Sequence, residues 1–405
     1  MSLAMISGSA VESAVPSPIS QNQGSIIPSS GIAPSVGAEN VCQVTTESGG
    51  PAVAAITSPM RLRVYQRQGG AAQLPVNLVL AGAADCVQAR ILRDDRSTLV
   101  DWTTIASAAF ASGAGVSSSL NTPNGGWYFF EVRAIKDHAA GPVATLDYIG
   151  VGEVFVTAGQ SNSTFFGEQP QRTKTGKVVY FDGATWQLCQ DPLPNVDPQG
   201  SGGAPWCPLG DSIAAGYGVP VAFAPTGWGG SSISQWQANA STSPGGVGVL
   251  YKRMTQTVAY FGPGGVRAVL WHQGESDVSM PQNTYVTSLL AIIQGSREAA
   301  GTAVPWIVAQ ATYPHDWSSS SLALWRTLSC EGQCIDERNA QRQQIRAAQS
   351  QLVGAGNVFA GPDTDVLGLM YRPDGIHFSV AGLHAEVQLW GSSIHAAIQS
   401  LIQQP

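Results

Sequence analysis

Apolar positions change their period near residue 150, and the change divides the chain. From about residue 50 to 148 they fall in short β-rich segments, "RLRVYQRQ", "QLPVNLVLAG", "VQARILRD", "TLVDWTTIA" and "GGWYFFEVRAIKD", punctuated by Gly, Asn, Pro and Asp. No helical period interrupts them, so they predict a small β-sandwich. Beyond it, continuous apolar runs at 152–159, 218–225, 266–273, 304–312 and 357–361 alternate with helix-compatible stretches such as 284–301 and 336–353. The last segment keeps Val380, Leu383, Val387, Trp390, Ile394, Ala397 and Leu401 at a three-to-four spacing, with Ser379 where an N-cap belongs. Buried strands alternating with helices predict an α/β fold in three layers, whose central parallel sheet has about five strands. The expected organisation is a Ser/Pro/Gly-rich tail or linker over 1–45, an all-β sandwich over 46–148 and the α/β domain over 149–405.

Composition narrows the function classes. Only 12% of the 405 residues are charged and the formal net charge is −7, which excludes a basic footprint for nucleic acid and disfavours anionic membranes. No run of about 18 apolar residues is present, so membrane insertion is not expected. The opening "MSLAMISGSAVES" lacks the cationic and apolar regions of a signal peptide. The 6 cysteines suggest disulfides, with Cys189–Cys207 across a Pro/Gly-rich loop, Cys330–Cys334 across "EGQ", and Cys42–Cys86 as the remaining pair. Disulfides imply an oxidising compartment, hence a secreted, periplasmic or extracellular protein, a virion surface included. None of the spacings is that of a zinc site, and no metal or organic cofactor is expected.

In a parallel sheet chemistry gathers at the C-terminal strand ends. Three segments stand there: Ala158-Gly159-Gln160-Ser161-Asn162, Trp271-His272-Gln273-Gly274-Glu275-Ser276-Asp277 and Arg372-Pro373-Asp374-Gly375-Ile376-His377-Phe378. Asp374 and His377 are spaced so that, on a turn, the carboxylate reaches the imidazole and fixes its tautomer, as a serine hydrolase requires. His272 reads as structural, and His384 and His395 as exposed or satisfied helix residues.

"VGEVFVTAGQSN", "GWGGSSISQW", "WHQGESD" and "DGIHFS" resemble the four signature blocks of the sialate O-acetylesterase and family 6 carbohydrate esterases, within the SGNH hydrolases. The resemblance covers about 150 to 402 and implies the flavodoxin-like SGNH fold. It makes Ser161 the nucleophile, His377 the base and Asp374 its principal partner, with Glu275 the alternative triad acid or a helper. It assigns the oxyanion hole to the backbone N–H groups of Ser161 and Gly230 and to the side-chain amide of Gln273. Gln160, Asn162, Trp228 and Trp236 are the candidates for substrate contact, core packing being the other use of the two tryptophans. Ser163 departs from the family, which usually has Met there.

A second serine, Ser212 in "PLGDSIAAG", matches a well-known esterase tag. Upstream of it two prolines and several glycines forbid a central strand, and the next strand begins too soon for a parallel crossover, which needs at least about ten to twelve residues. Ser212 therefore opens a helix or turn, and the nucleophile is Ser161. The expected activity is carboxylic ester hydrolysis, removing O-acetyl groups from a carbohydrate through an acyl-enzyme. The rival readings are a non-catalytic carbohydrate-binding or virion-surface module and a lipid or aryl esterase of the same superfamily. The oligomeric state stays open.

Overall fold

A computed structural model describes residues 42–193, 196–313 and 333–403. In its first part β1 (Val53–Ser58), β3 (Ala71–Leu80) and β6 (Gly115–Pro123) form a three-stranded antiparallel sheet, while the short β2 (Val64–Gln66) leaves it to pair elsewhere. Opposite stand β4 (Ala84–Leu92), β5 (Thr98–Phe110) and β7 (Gly125–Lys136), with β8 (Ala139–Ala140) at the margin. The period of two in the sequence becomes burial: Leu74, Val76, Leu78 and Leu80 on β3 face Val87, Ala89 and Ile91 on β4 and Phe130, Val132 and Ala134 on β7 in one core.

The next strand, β9 (Ala144–Gly159), is 16 residues long and serves both halves. Its beginning pairs antiparallel with β7, its middle parallel with β2, and from Glu153 onward it is a central strand of the parallel sheet. The boundary expected between 148 and 149 thus falls inside a strand, with no linker.

The parallel sheet takes the order β10 (Val178–Phe181), β12 (Val221–Pro225), β9, β13 (Ala268–His272), β14 (Trp306–Gln310) and β15 (Val358–Asp363), and β11 (Trp186–Leu188) adds an antiparallel edge beside β10. All of the expected runs are strands; β10 is an addition, because its four residues "VVYF" are too short a run to stand out. Helices α1 (Trp206–Tyr217) and α5 (Val380–Gln403) cover one face, burying Trp206, Leu209, Val387, Trp390 and Ile394 against Phe155, Phe223 and Leu270. Helices α2 (Val249–Phe261), α3 (Gln282–Ala300) and α4 (Gln333–Gln351) cover the other, where Met254, Leu289, Ile292 and Ile345 meet Val156, Val269 and Val308. Ser379 caps α5, its Oγ accepting from the Gly382 N–H at 3.0 Å.

Ser212 lies in α1, exposed, in a helix that begins earlier than expected, at Trp206. Its neighbour Asp211 closes the turn at 173–175, accepting from Thr173 Oγ1 at 2.7 Å and the Lys174 N–H at 2.7 Å. Disulfides join Cys42 to Cys86 and Cys189 to Cys207. The expected Cys330–Cys334 pair lies outside the described residues.

Where the two halves meet, the fully buried carboxylate of Glu153 on β9 accepts from Arg67 Nε at 2.7 Å, Arg267 Nε at 2.7 Å and Gln66 Nε2 at 3.0 Å. Removing the carboxylate leaves two guanidinium groups buried without a counter-charge. Breaking a buried pair in this way costs about 3–5 kcal/mol. Glu153→Ala is therefore expected to lower stability by that amount in urea unfolding; an unchanged midpoint would remove the junction's role.

Candidate active site

The central strands β9 and β13 end side by side, and there the chain must turn sharply. Gly159 does so at φ +134°, lying so close to β13 that a Cβ would sit 2.0 Å from the His272 carbonyl oxygen. Only glycine fits that approach. Ser161 then opens a single 3-10 turn, Ser161–Ser163, held by Ser163 Oγ donating to the Gln160 carbonyl at 2.7 Å. Ser163, where the family usually has Met, is fully buried in this role.

His377 arrives on the loop before α5. Its Nδ1 lies 2.6 Å from Asp374 Oδ2, and the other carboxylate oxygen of Asp374 accepts from the backbone N–H groups of Ile376 (2.8 Å) and His377 (2.7 Å). Burial alone would raise the Asp374 pKa. The imidazole and the two N–H groups outweigh it and hold the carboxyl at about 2. The opposite nitrogen of His377, Nε2, is buried and without a hydrogen-bond partner. Phe166 stacks on the imidazole at 5.2 Å, and with Glu168, Pro373, Asp374, His377 and Phe378 it lines a cavity of about 280 Å³.

The serine and histidine loops are tied together. Asn162 Nδ2 donates to Glu275 Oε1 at 3.0 Å and to the Ile376 carbonyl at 3.3 Å, next to His377. Arg372, almost completely buried, donates to the same Ile376 carbonyl, to the Leu367 carbonyl at 2.8 Å and to the Thr364 carbonyl at 3.0 Å. Glu275 therefore holds Asn162, while Asp374 holds His377. His272 stays behind the site, its ring between Thr364 Oγ1 (3.1 Å) and the Glu386 carboxylate (3.1 Å). Burial opposes a charge on this imidazole, but Glu386 and Glu275 more than offset it and raise its pKa.

The glycine loop is anchored from two sides. Asp197 accepts from the Gly229 N–H at 2.6 Å, and Asp277 accepts from the Ile233 N–H at 2.7 Å. Burial raises the Asp277 pKa, partly countered by the Ile233 N–H and the Gln273 side-chain amide. Between the anchors Gly230 is exposed, at φ +68°. Neither its N–H nor that of Ser161 makes a hydrogen bond among the described residues.

Four expected contacts are corrected. Gln273 is fully buried and its amide nitrogen is taken up by Asp277 Oδ2, Gln160 Oε1 (3.2 Å) and the Ser231 carbonyl (3.2 Å), so it braces loops and offers no free donor to an oxyanion. Gln160, also fully buried, accepts from the Gly274 and Ser276 N–H groups instead of touching substrate. Asn162 spends both amide hydrogens on the ties described above. Trp236 is a core residue, edge-on to Trp271 at 5.2 Å with its indole N–H on Ser231 Oγ at 2.9 Å. Trp228 alone of the four substrate candidates keeps partial exposure. Asp197 escaped the sequence reading; Asp277 and Arg372 lay at the ends of two of its segments but were given no role.

Among the described residues no helix is long and apolar enough to cross a membrane. A crystal structure of a carbohydrate acetylesterase from Xanthomonas citri is similar at 19% identity with a TM-score of 0.52, covering 85% of this chain and 76% of that one. A structure from Arabidopsis thaliana is 19% identical with a TM-score of 0.43, over 61% of this chain and 98% of that one. No curated protein matches the chain. The family model described as carbohydrate esterase, sialic acid-specific acetylesterase, matches residues 151–389, which takes in the parallel sheet and every loop of the site. The chain belongs to this family of carbohydrate esterases and is a carboxylic ester hydrolase of the SGNH type.

Proposed function

We propose that Ser161 is the nucleophile of a carbohydrate de-O-acetylation carried out with His377 and Asp374. The observation that carries this reading is the imidazole of His377. Asp374 fixes it through Nδ1, and Nε2 is left buried and unpartnered on a loop that Asn162 ties to the serine loop. Ser161 Oγ attacks the acetyl carbonyl as Nε2 takes its proton. The tetrahedral oxyanion is received by the N–H groups of Ser161 and Gly230. Collapse breaks the ester bond, with the proton passing from His377 to the departing sugar oxygen. Water, deprotonated by the same imidazole, then attacks the acetyl-enzyme, and acetate leaves as Ser161 regains its proton. The cavity beside Phe166 and the partly exposed Trp228 are the places for acetyl group and sugar.

Asp374, with Glu275 bracing Asn162, is the triad acid in this scheme. The two-sheet unit over about 46–148 is read as an accessory β-sandwich, and the two disulfides support an extracellular or periplasmic setting.

Ser161→Ala is expected to remove acetate release from 4-nitrophenyl acetate and acetylated polysaccharide, while Ser212→Ala leaves both intact. Activity surviving in Ser161→Ala would overturn the assignment. Asp374→Asn should lower kcat by about 10⁴, as loss of the orienting carboxylate does in a serine triad, whereas Glu275→Gln should cost less. Because the folded Asp374 pKa of about 2 lies below its ordinary 3.8, its pairing favours the native state above about pH 4, and that advantage is lost as pH falls towards 2. The wild-type pH–kcat/KM profile should accordingly contain no carboxylate ionisation of Asp374 above pH 4. An acid limb that Asp374→Asn abolishes in that range would contradict it.

A further inference from the structure

Two cavities are larger than the one beside His377: one of about 370 Å³ at the junction of the two halves and one of about 520 Å³ on the N-terminal half. The second opens on the outer face of the β5–β4–β7 sheet, between Gln88, Thr104 and Arg133 and the segment carrying Gln43, Thr45 and Glu47. The Cys42–Cys86 disulfide pins that segment to β4 and makes it a wall.

Register sets the face. Gln88 on β4 pairs with Thr104 on β5 and with Arg133 on β7, and Arg90 pairs with Glu131. Trp102 stands two residues from Thr104 and so on the same side. Its ring lies over both guanidinium groups, 4.6 Å from that of Arg90 and 4.1 Å from that of Arg133. Those two arginines project from neighbouring strands on one face, and the ring they hold there by cation–π contact is partly exposed.

The polar groups beneath are fixed in advance. Arg133 donates to Gln88 Oε1 at 3.1 and 3.0 Å and to Glu47 at 2.8 Å, and Arg90 donates to Glu131 at 2.7 Å. Gln88, Glu131 and Arg133 are each at most 9% exposed. The outer face of an antiparallel sheet does not need such burial for its fold, and ion pairs of this kind contribute little net stability. The Trp102 indole N–H makes no hydrogen bond among the described residues. A flat aromatic surface, a free N–H beside it and a cleft of planar amide, guanidinium and carboxylate groups together match a pyranose ring, with its apolar C–H face and its rim of hydroxyls.

We infer that Trp102 and the adjoining cleft form a second saccharide-binding site, remote from Ser161, which holds the polymer whose acetyl groups the esterase domain removes. The inference rests on the carbohydrate reading of the substrate. The test is native gel electrophoresis through increasing concentrations of soluble acetylated xylan or O-acetylated polysialic acid, alongside acetate release from each polymer and from 4-nitrophenyl acetate. Wild type should be retarded by at least one polymer. Trp102→Ala should bind it about tenfold more weakly, the loss expected for one stacking contact, and Trp102→Phe should retain most of the binding. All three should hydrolyse 4-nitrophenyl acetate equally. Should Trp102→Ala also lose small-ester hydrolysis, Thr104→Arg, which fills the cleft from an exposed position, carries the same comparison.

No retardation of wild type, or equal retardation of the variants, overturns the second site while leaving the esterase reading untouched. Trp102-dependent retardation without acetate release from either polymer supports the site and counts against the substrate reading.

Discussion

Adjacent strands of a sheet lie about 4.8 Å apart, and at Gly159 the chain of β9 bends in closer to β13 than any side chain allows, with the His272 carbonyl where a Cβ would be. The Gln160 N–H completes the contact by donating to that carbonyl at 3.0 Å. This approach decides where Ser161 stands and how the next residues run. The positive φ turns the chain off the sheet, Gln160 is driven into the interior, and Ser161 is left at the start of a tight turn with its N–H unspent. Every other loop of the site is then measured against that turn. The glycine loop meets it through the Trp228 N–H on the Gly159 carbonyl at 2.9 Å, and the histidine loop through Asn162.

The loops are held by buried polar groups as well as by apolar packing. Gln160, Asn162, Gln273, Glu275, Asp277 and Arg372 lie at most 5% exposed within one small region. Such groups are costly unless partnered, and here each bonds to a different segment of chain: Asp277 to the glycine loop, Gln160 to the loop after β13, Arg372 to both ends of the loop before His377. Gln349 from α4 and Tyr285 from α3 brace the Gln273 carbonyl at 2.9 Å each. A loop fixed at several points holds its N–H groups and its imidazole in place before substrate arrives, and positioning of that sort carries much of a hydrolase's rate.

The same facts explain which parts of the molecule could be read from the sequence. Buried parallel strands are continuous apolar runs, so β9, β12, β13, β14 and β15 were legible, and Asp374 and His377 were legible because a three-residue turn brings a carboxylate to an imidazole by local geometry. Ser212 could be set aside because prolines and a short crossover are incompatible with a central strand. The direction in which an amide points is different. Gln273 could face an emerging oxyanion or Asp277, and only the packing of α3 and α4 behind it decides in favour of Asp277. Trp236 was ambiguous for the same reason, since an indole in a loop carries no mark of whether another element covers it. The domain boundary misled because β9 changes partners, not period: its apolar run continues while its neighbours pass from β7 to β12 and β13.

That continuity has a mechanical consequence. A flexible linker between binding and catalytic units leaves their separation to chance and spreads the effective concentration of one at the other. Here a single strand belongs to both sheets, and the buried Glu153 with Arg67 and Arg267 clamps the crossing point. From the Ala144 end of β9, beside β7, to Gly159 is at most about 50 Å of extended chain, and the interval cannot stretch or fold. A polymer seated on the outer face of β4, β5 and β7 would therefore be presented to Ser161 at a set distance and direction. The acetyl groups reached first would be those one fixed span along the chain from the point of attachment, instead of those nearest at random. The strand that positions the reactive serine would also act as the ruler for the substrate.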